Sequence, residues 1–479
     1  MTGTQHYDLI IIGGGPAGQG AAEFAAFAGR RVLVIERKVL GGLVVTTGGG
    51  PTKTLREAAL HLMGFRYRAL YGIAEQPDIV MAVERSRVRT EEVSYAMQKF
   101  TESFFVDRLR VDLVYGSARL APNRNVVVTP IQVSETERVF TAEKILIATG
   151  SRPFHPPNIP FDDTDIFDSE GLPNIKRVPK SALVVGGGPI GCEFASIFNA
   201  FGIPVTVVQP GEHLLNTMDS ELSDLLRRAF EKQGMRILLG TGVHTASRVN
   251  GELQVTLETG EVLRPDMALF ATGRLVNTQG LGLDAAGVKL NPRGLVEVDN
   301  HFQTSIEGIY AAGDVIGPSL ASISSEQGRV AACHALGLGF KVKLDPLSVS
   351  AVYSVPELAG VGLTEDNAKE QGIDYEVGRC SFGEISRGLI SGDTDGILKL
   401  VFRRQDRRLL GVHIVGDIAS ELIALGQATL YNSDTIDVFN NLTVAAPTYT
   451  MAYKYAAFDG FKRLAAGGGS LQSFRSEQK

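Results

Sequence analysis

The chain alternates short, unbroken apolar runs with longer stretches whose apolar positions recur at helical spacing. Residues 9–12, all β-branched or aliphatic, suit a strand buried on both faces of a parallel sheet. That run enters a glycine turn, then a predicted helix over 16–28, then a second strand ending on Glu36. Residues 182–209 repeat the pattern: strand, glycine turn, helix, strand. Three further apolar runs end in small-residue turns, at Gly150, Gly273 and Asp314. Residues 51–63 predict a helix entered at a proline. Thr90 to about Arg110 predicts a long amphipathic helix, with Thr90 as N-cap and Glu91 and Glu92 at its positive end. Short β-rich runs over 111–139 predict a meander, and 218–234 another amphipathic helix. The proline-rich stretch 151–160 reads as a crossover between domains. From Pro346 short strand runs alternate with helices, which predicts a separate domain.

The pattern predicts an α/β chain with two Rossmann-like dinucleotide-binding domains and a C-terminal α+β domain. The expected boundaries are 1–155 with 276–345 for a discontinuous first domain, 156–275 for the second and 346–464 for the third. A Gly/Ser-rich tail, 465–479, is expected to be flexible.

The glycine turns carry the chemistry. Gly13, Gly15 and Gly18 fit G-x-G-x-x-G: tight turn, close approach of a pyrophosphate to the backbone, close packing of helix on strand. The helix that follows aims its free N–H groups at the phosphate. Glu36 lies 23 residues (36 − 13) after Gly13, where a carboxylate accepts ribose hydroxyls. Gly186, Gly188 and Gly191 repeat the turn, and 23 residues (209 − 186) after Gly186 stands Gln209, not an acid. Two such units imply two dinucleotides, one resident and one exchangeable.

Composition narrows the class. A net charge of −6 over 479 residues, with no basic block, points away from nucleic acid and anionic membranes. No basic leader precedes the first apolar run and no stretch is long enough to span a bilayer, which argues for a cytosolic enzyme. Cys192, Cys333 and Cys380 are far apart and form no CxxC or metal-ligand spacing, so they read as buried structural thiols and no metal is expected.

The order of the first glycine motif, GG…PTKTL, ATGSRP, the second glycine motif, ATGR and GDV, with a C-terminal α+β domain, resembles the pyridine nucleotide–disulfide oxidoreductase family from Tyr7 to about Leu464. The stretches TLREAALHLMGFRYRALYG, GSRPFHP, GPIGCEFASIF, GRLVNT, GDVIGPSLAS and AYKYAAFDG are similar to its transhydrogenase members. The resemblance implies FAD at the first site, with Gly13, Gly15, Gly18, Glu36, Gly150 and Asp314. It implies NAD(H) or NADP(H) at the second, with Gly186, Gly188, Gly191, Gln209 and Gly273. It further implies a homodimer through the last domain. Lys53 matches the family's flavin lysine and Glu193 the acid that pairs with it; together they form the expected catalytic pair.

One absence separates this chain from the disulfide reductases that it resembles. The family's two redox cysteines fall at Val44 and Gly49, and its acid–base His and Glu at Ala446 and Met451. Valine and glycine offer no thiolate for exchange. Two further departures are GGGPTK in place of G-T-I-P-S-K, and Met451 in place of a glutamate expected even in transhydrogenases. The resemblance therefore implies hydride transfer from NADPH to NAD+ through FAD, without a disulfide. The alternatives are an NAD(P)H:acceptor reductase of quinone or diaphorase type, using the small-residue stretch VVTTGGG as a pocket, and a low-turnover FAD-binding structural or sensing protein.

Overall fold

The computed structural model describes residues 5–68, 71–72, 78–132, 136–171 and 177–467. It divides into two compact units, Met1–Thr54 with Ser86–Phe154 and Thr272–Asp345, and Leu55–Arg85 with His155–Ala271 and Pro346–Lys479.

The first unit is built on a six-stranded sheet. Gln5–Ile12 pairs in parallel with Val32–Glu36 on one side and Arg138–Ile147 on the other. Ile309–Ala311 extends the parallel set, while Asp112–Ala121 and Asn125–Pro130 form the expected meander, antiparallel to each other. The aliphatic run of the first strand is buried on both faces: Leu9 and Ile11 face one apolar cluster, Ile10 and Ile12 another. Helix Pro16–Phe27 covers one of these faces with alanines.

The second unit holds a five-stranded parallel sheet in the order Arg236–Leu239, Val205–Gln209, Ala182–Val185, Met267–Phe270, Ile166–Asp168. The chain leaves Ala182–Val185 in one direction and reaches Met267–Phe270 on its other side, so strand order reverses at the carboxyl end of Ala182–Val185. Ligands of open α/β sheets bind at such a switch point. The glycine turn 186–191 sits there. The same unit contains a five-stranded antiparallel sheet, Ser350–Val352 to Leu409–Gly416, packed under helices Ala419–Tyr431 and Met451–Ala466. The last helix runs to Ala466, two residues beyond the expected end of the domain; of the tail that was expected to be flexible, 468–479 lies outside the described residues.

One expected helix is displaced. The element predicted from Thr90 to about Arg110 spans Ile79–Ser103 and passes into a π-turn, Phe104–Arg108. Thr90 is buried in mid-helix, its hydroxyl donating to the Ser86 carbonyl at 2.8 Å. The capping carboxylate is that of Asp78, which accepts from the Met81 N–H at 3.0 Å. Glu91 and Glu92 pair with Arg87 and Arg89 along the helix face.

Candidate functional site

The two glycine turns fold alike. Gly13 and Gly186 adopt φ of +108° and +110°, a region open to glycine. A Cβ on Gly18 would stand 2.0 Å from the Gly13 carbonyl oxygen, and one on Gly191 would stand 1.8 Å from that of Gly186. These close approaches seat each helix against its strand. Gly15 and Gly188, by contrast, face open space on the side where a Cβ would project, leaving backbone accessible to a pyrophosphate. Pro16 and Pro189 occupy the first helical positions, where their missing N–H costs nothing.

The strand-end residues are held by the same bond in both turns. Gly14 N–H donates to Glu36 Oε2 at 2.8 Å, and Gly187 N–H donates to Gln209 Oε1 at 2.8 Å. Glu36 is further fixed by the Lys38 N–H on its other oxygen, at 2.7 Å. The carboxylate is thus aimed at the rim of the first turn, as an adenosine ribose requires. Because the Gly187 N–H needs an acceptor, it fixes the orientation of the Gln209 amide: carbonyl inward, NH2 outward toward Gly211. These features fit a dinucleotide in each turn.

Asp314 closes the first unit's site. It follows strand Ile309–Ala311 and accepts from Ser151 Oγ at 2.5 Å and from the Ser319 N–H at 3.1 Å. Arg274 donates to Ser151 Oγ at 2.7 Å and lies 3.9 Å from the Asp314 carboxylate. Ser151 and Arg274 escaped the sequence reading, although each adjoins a glycine it had singled out. Gly150 and Gly273 both take positive φ, and the Gly273 carbonyl accepts from the Phe154 N–H at 3.0 Å. Gly273, expected at the second nucleotide, falls in the first unit, while strand Met267–Phe270 that leads to it lies in the second.

Lys53 lies half-buried in the first turn of helix Gly50–Arg68, in the first unit. Glu193 lies in the second unit, buried on helix Pro189–Ala200, with Oε1 accepting from the Tyr353 N–H at 3.0 Å. Positions 44 and 49 are neighbours: a Cβ on Gly49 would stand 2.8 Å from a Val44 methyl. All three cysteines are free and buried. Burial pushes the Cys380 thiol up to about 12 and raises Cys192 and Cys333, so none is disposed to form a thiolate. Among the described residues no helix is long and apolar enough to cross a membrane.

Comparison with known proteins agrees with this geometry. Residues 7–328 match the family described as pyridine nucleotide-disulphide oxidoreductase, and 348–457 match its dimerisation domain. The chain is 37% identical to a soluble pyridine nucleotide transhydrogenase of Mycobacterium tuberculosis, over 98% of this chain and 100% of the relative. A protein of the same name from Hahella chejuensis is 36% identical, over 96% and 99%. Among solved structures, LpdA from Mycobacterium tuberculosis superposes with a TM-score of 0.87 at 27% identity, covering 95% of this chain and 99% of that one. The HOCl-induced flavoprotein disulfide reductase RclA from Escherichia coli gives 0.83 at 29% identity, covering 94% and 99%.

Proposed function

The chain belongs to the pyridine nucleotide-disulphide oxidoreductase family, and from that premise we propose that it is a transhydrogenase. In this reading it moves hydride from NADPH to NAD+ with FAD as the resident carrier. The observation that carries the proposal is a glycine turn with a fixed strand-end residue in each unit, together with valine and glycine at positions 44 and 49, where a disulfide reductase needs thiols.

FAD, when bound, supplies a two-electron carrier that takes hydride from one nicotinamide and returns it to another. The chain's own contribution is binding and orientation. Gly13–Gly18 and Glu36 would hold the adenosine diphosphate half, and Asp314, set by Ser151 and Arg274, the ribityl chain. Lys53 would offset negative charge gathering on the flavin ring. Gly186–Gly191 and Gln209 would receive NADPH and NAD+ in turn. Hydride exchange of this kind asks no residue to move a proton, which agrees with Ala446 where the reductases carry the acid–base histidine.

Steady-state rates with NADPH and thio-NAD+ should give parallel reciprocal plots, as alternating use of one site demands. Anaerobic titration should take up about two electrons per chain, with no long-wavelength thiolate–flavin band and no inhibition by arsenite. Uptake of about four electrons would contradict the reading that the flavin is the one redox group. Reduction of a quinone panel with no transfer to thio-NAD+ would favour the acceptor-reductase alternative instead.

The proposal includes a homodimer, supported by the family's dimerisation domain over 348–457. Tyr455 and Phe458 on helix Met451–Ala466 pack edge-on at 6.4 Å and remain 43% and 45% exposed in the single chain, an aromatic pair that a partner would cover. Isologous pairing is the common solution. Light scattering at micromolar concentration should report twice the chain mass; a monomer would contradict it.

A further inference from the structure

The antiparallel sheet of the second unit holds titratable groups that hydride exchange does not use. Where strand Leu409–Gly416 ends, three carboxyl groups gather around one guanidinium. Arg56 of helix Gly50–Arg68 lies 2.7 Å from Glu357, and both side chains are buried. Glu357 also accepts from the Ser420 N–H at 2.7 Å, so this ion pair is complete in itself. Asp393, in the turn before strand Ile397–Arg403, is 6% exposed and accepts from the Asp417 N–H at 3.4 Å. Among the described residues neither aspartate has a Lys or Arg within ion-pair distance. The remaining groups that face the pair bring it none. The Tyr449 hydroxyl bonds Ser391 Oγ at 2.6 Å and reaches Asp393. Arg387 lies over the Tyr449 ring at 5.9 Å, exposed Asp395 pairs with Lys232, and Glu421 and Tyr353 stand near Glu357.

Two uncompensated negative charges are strongly disfavoured in so dry a place. We propose that Asp393 and Asp417 hold one proton between them at neutral pH, and that its loss frees the segment anchored by Tyr449: a pH-sensitive latch on the C-terminal domain. Burial, then the charge of Asp393, pushes the Asp417 carboxyl up to about 7, and burial raises Asp393 as well. The geometry supplies the moving part. Residues 441–448, ahead of helix Met451–Ala466, are exposed or half-buried. Tyr449 is the buried side chain that fastens them, its ring 4.9 Å from that of Phe382. Asp393 links the parts, since it meets both the Tyr449 hydroxyl and the Asp417 N–H. Two like charges this close are relieved by admitting water, and the segment with the least buried surface gives way first. Because the folded-state value of Asp417 lies above its ordinary 3.8, the stability it lends is full below 3.8 and is lost as pH rises toward 7.

The latch needs neither nucleotide, so its test uses stability and cleavage rather than turnover. Full-length, FAD-loaded protein would be unfolded in urea at about pH 5 and pH 8. The wild-type midpoint should fall between the two. Asp417→Asn, neutral at both, should fall less and should exceed the wild type at the higher pH. Thermolysin, which cuts ahead of Leu and Val, would probe residues 441–448 at about pH 6 and pH 8, with rates corrected against a denatured standard. Cleavage there should be about threefold or more faster at the higher pH in the wild type, and equal at both in Asp417→Asn. Tyr449→Phe, which loses the hydroxyl bonds, should be cut quickly at both while its stability still follows pH as the wild type's does. Asp393→Asn serves if Asp417→Asn fails to fold, with the same flattening expected. Parallel midpoint profiles for the wild type and the folded aspartate variant would overturn the shared proton. A flattened profile with cleavage that ignores pH in the wild type would overturn the latch.

Discussion

Lys399→Met is expected to destabilise the protein by about 3–5 kcal/mol, the cost of stripping one partner from a buried ion cluster. Lys399 is on strand Ile397–Arg403 and is 1% exposed. Its ammonium lies 3.0 Å from Asp219, 2.8 Å from Glu221 and 2.7 Å from Glu365. Arg379, on the neighbouring strand Tyr375–Ser381, shares the last two carboxylates at 2.8 and 3.2 Å. Asp219 also caps helix Ser220–Lys232 through the Leu222 N–H, so the cluster ties the antiparallel sheet to a helix of the nucleotide-binding fold inside one unit. Removing the ammonium leaves three carboxylates facing one guanidinium. Glu365→Gln in the Lys399→Met background should therefore restore part of the loss, because it removes an unpaired charge. Denaturant midpoints of the three proteins check this. A single variant as stable as the wild type would mean that the cluster relaxes into solvent.

The same cluster sets an acid limit. Burial pushes the Glu221 carboxyl up, but hydrogen bonds from Arg379 and Lys399 outweigh it and hold the group at about 2. Its folded value is depressed, so the stability it contributes is present above the ordinary 4.5 and is lost as pH falls from there toward 2. In Lys399→Met one of the two cations is gone, and the stability profile should flatten across that window.

What the sequence made legible was local. Each glycine turn with its strand end lies within 24 residues, counting both ends, and backbone sterics dictate most of its shape, so Gly13, Gly18, Gly186 and Gly191 could be read directly. The long helix was misplaced for a local reason as well. Thr90 followed by two glutamates satisfies the N-cap pattern, but the preceding helical residues continue back to Asp78, which satisfies it too. The helix starts at the earlier of the two, which leaves Thr90 in mid-helix bonded to the Ser86 carbonyl. What stayed hidden depended on distant partners. Arg274 reaches Ser151 across 123 residues, Ser151 reaches Asp314 across 163, and Lys399 reaches Asp219 across 180. The triple glycine was visible but unexplained until Met97 was placed against Gly50.

Gln209→Glu is expected to lower kcat/KM for NADPH by roughly tenfold or more, on the order of 1–3 kcal/mol, while sparing NADH. The fold already contains the control. In the first turn a carboxylate at this place accepts the Gly14 N–H, and in the second the amide oxygen of Gln209 accepts the Gly187 N–H at the same 2.8 Å. A glutamate at 209 therefore keeps the inward bond and the turn that depends on it. Only the outward atom changes, from an NH2 donor to a charged oxygen. That donor can serve a ribose hydroxyl oxygen or the 2′-phosphate of NADP, whereas a carboxylate there repels the phosphate at close range and accepts from the ribose diol. The following residues, 210–215, carry no Arg or Lys, and the ring of His213, their one basic group, lies 3.2 Å from Asp224. A neutral strand end also suits an enzyme that must admit NADPH and NAD+ at one site, since commitment to either ribose would slow the other half of the cycle. Gln209→Met separates the two roles: it loses the Gly187 bond as well, and should impair both cofactors. If Gln209→Glu handles NADPH and NADH as the wild type does, position 209 does not read the ribose, and discrimination must come from elsewhere along the second turn.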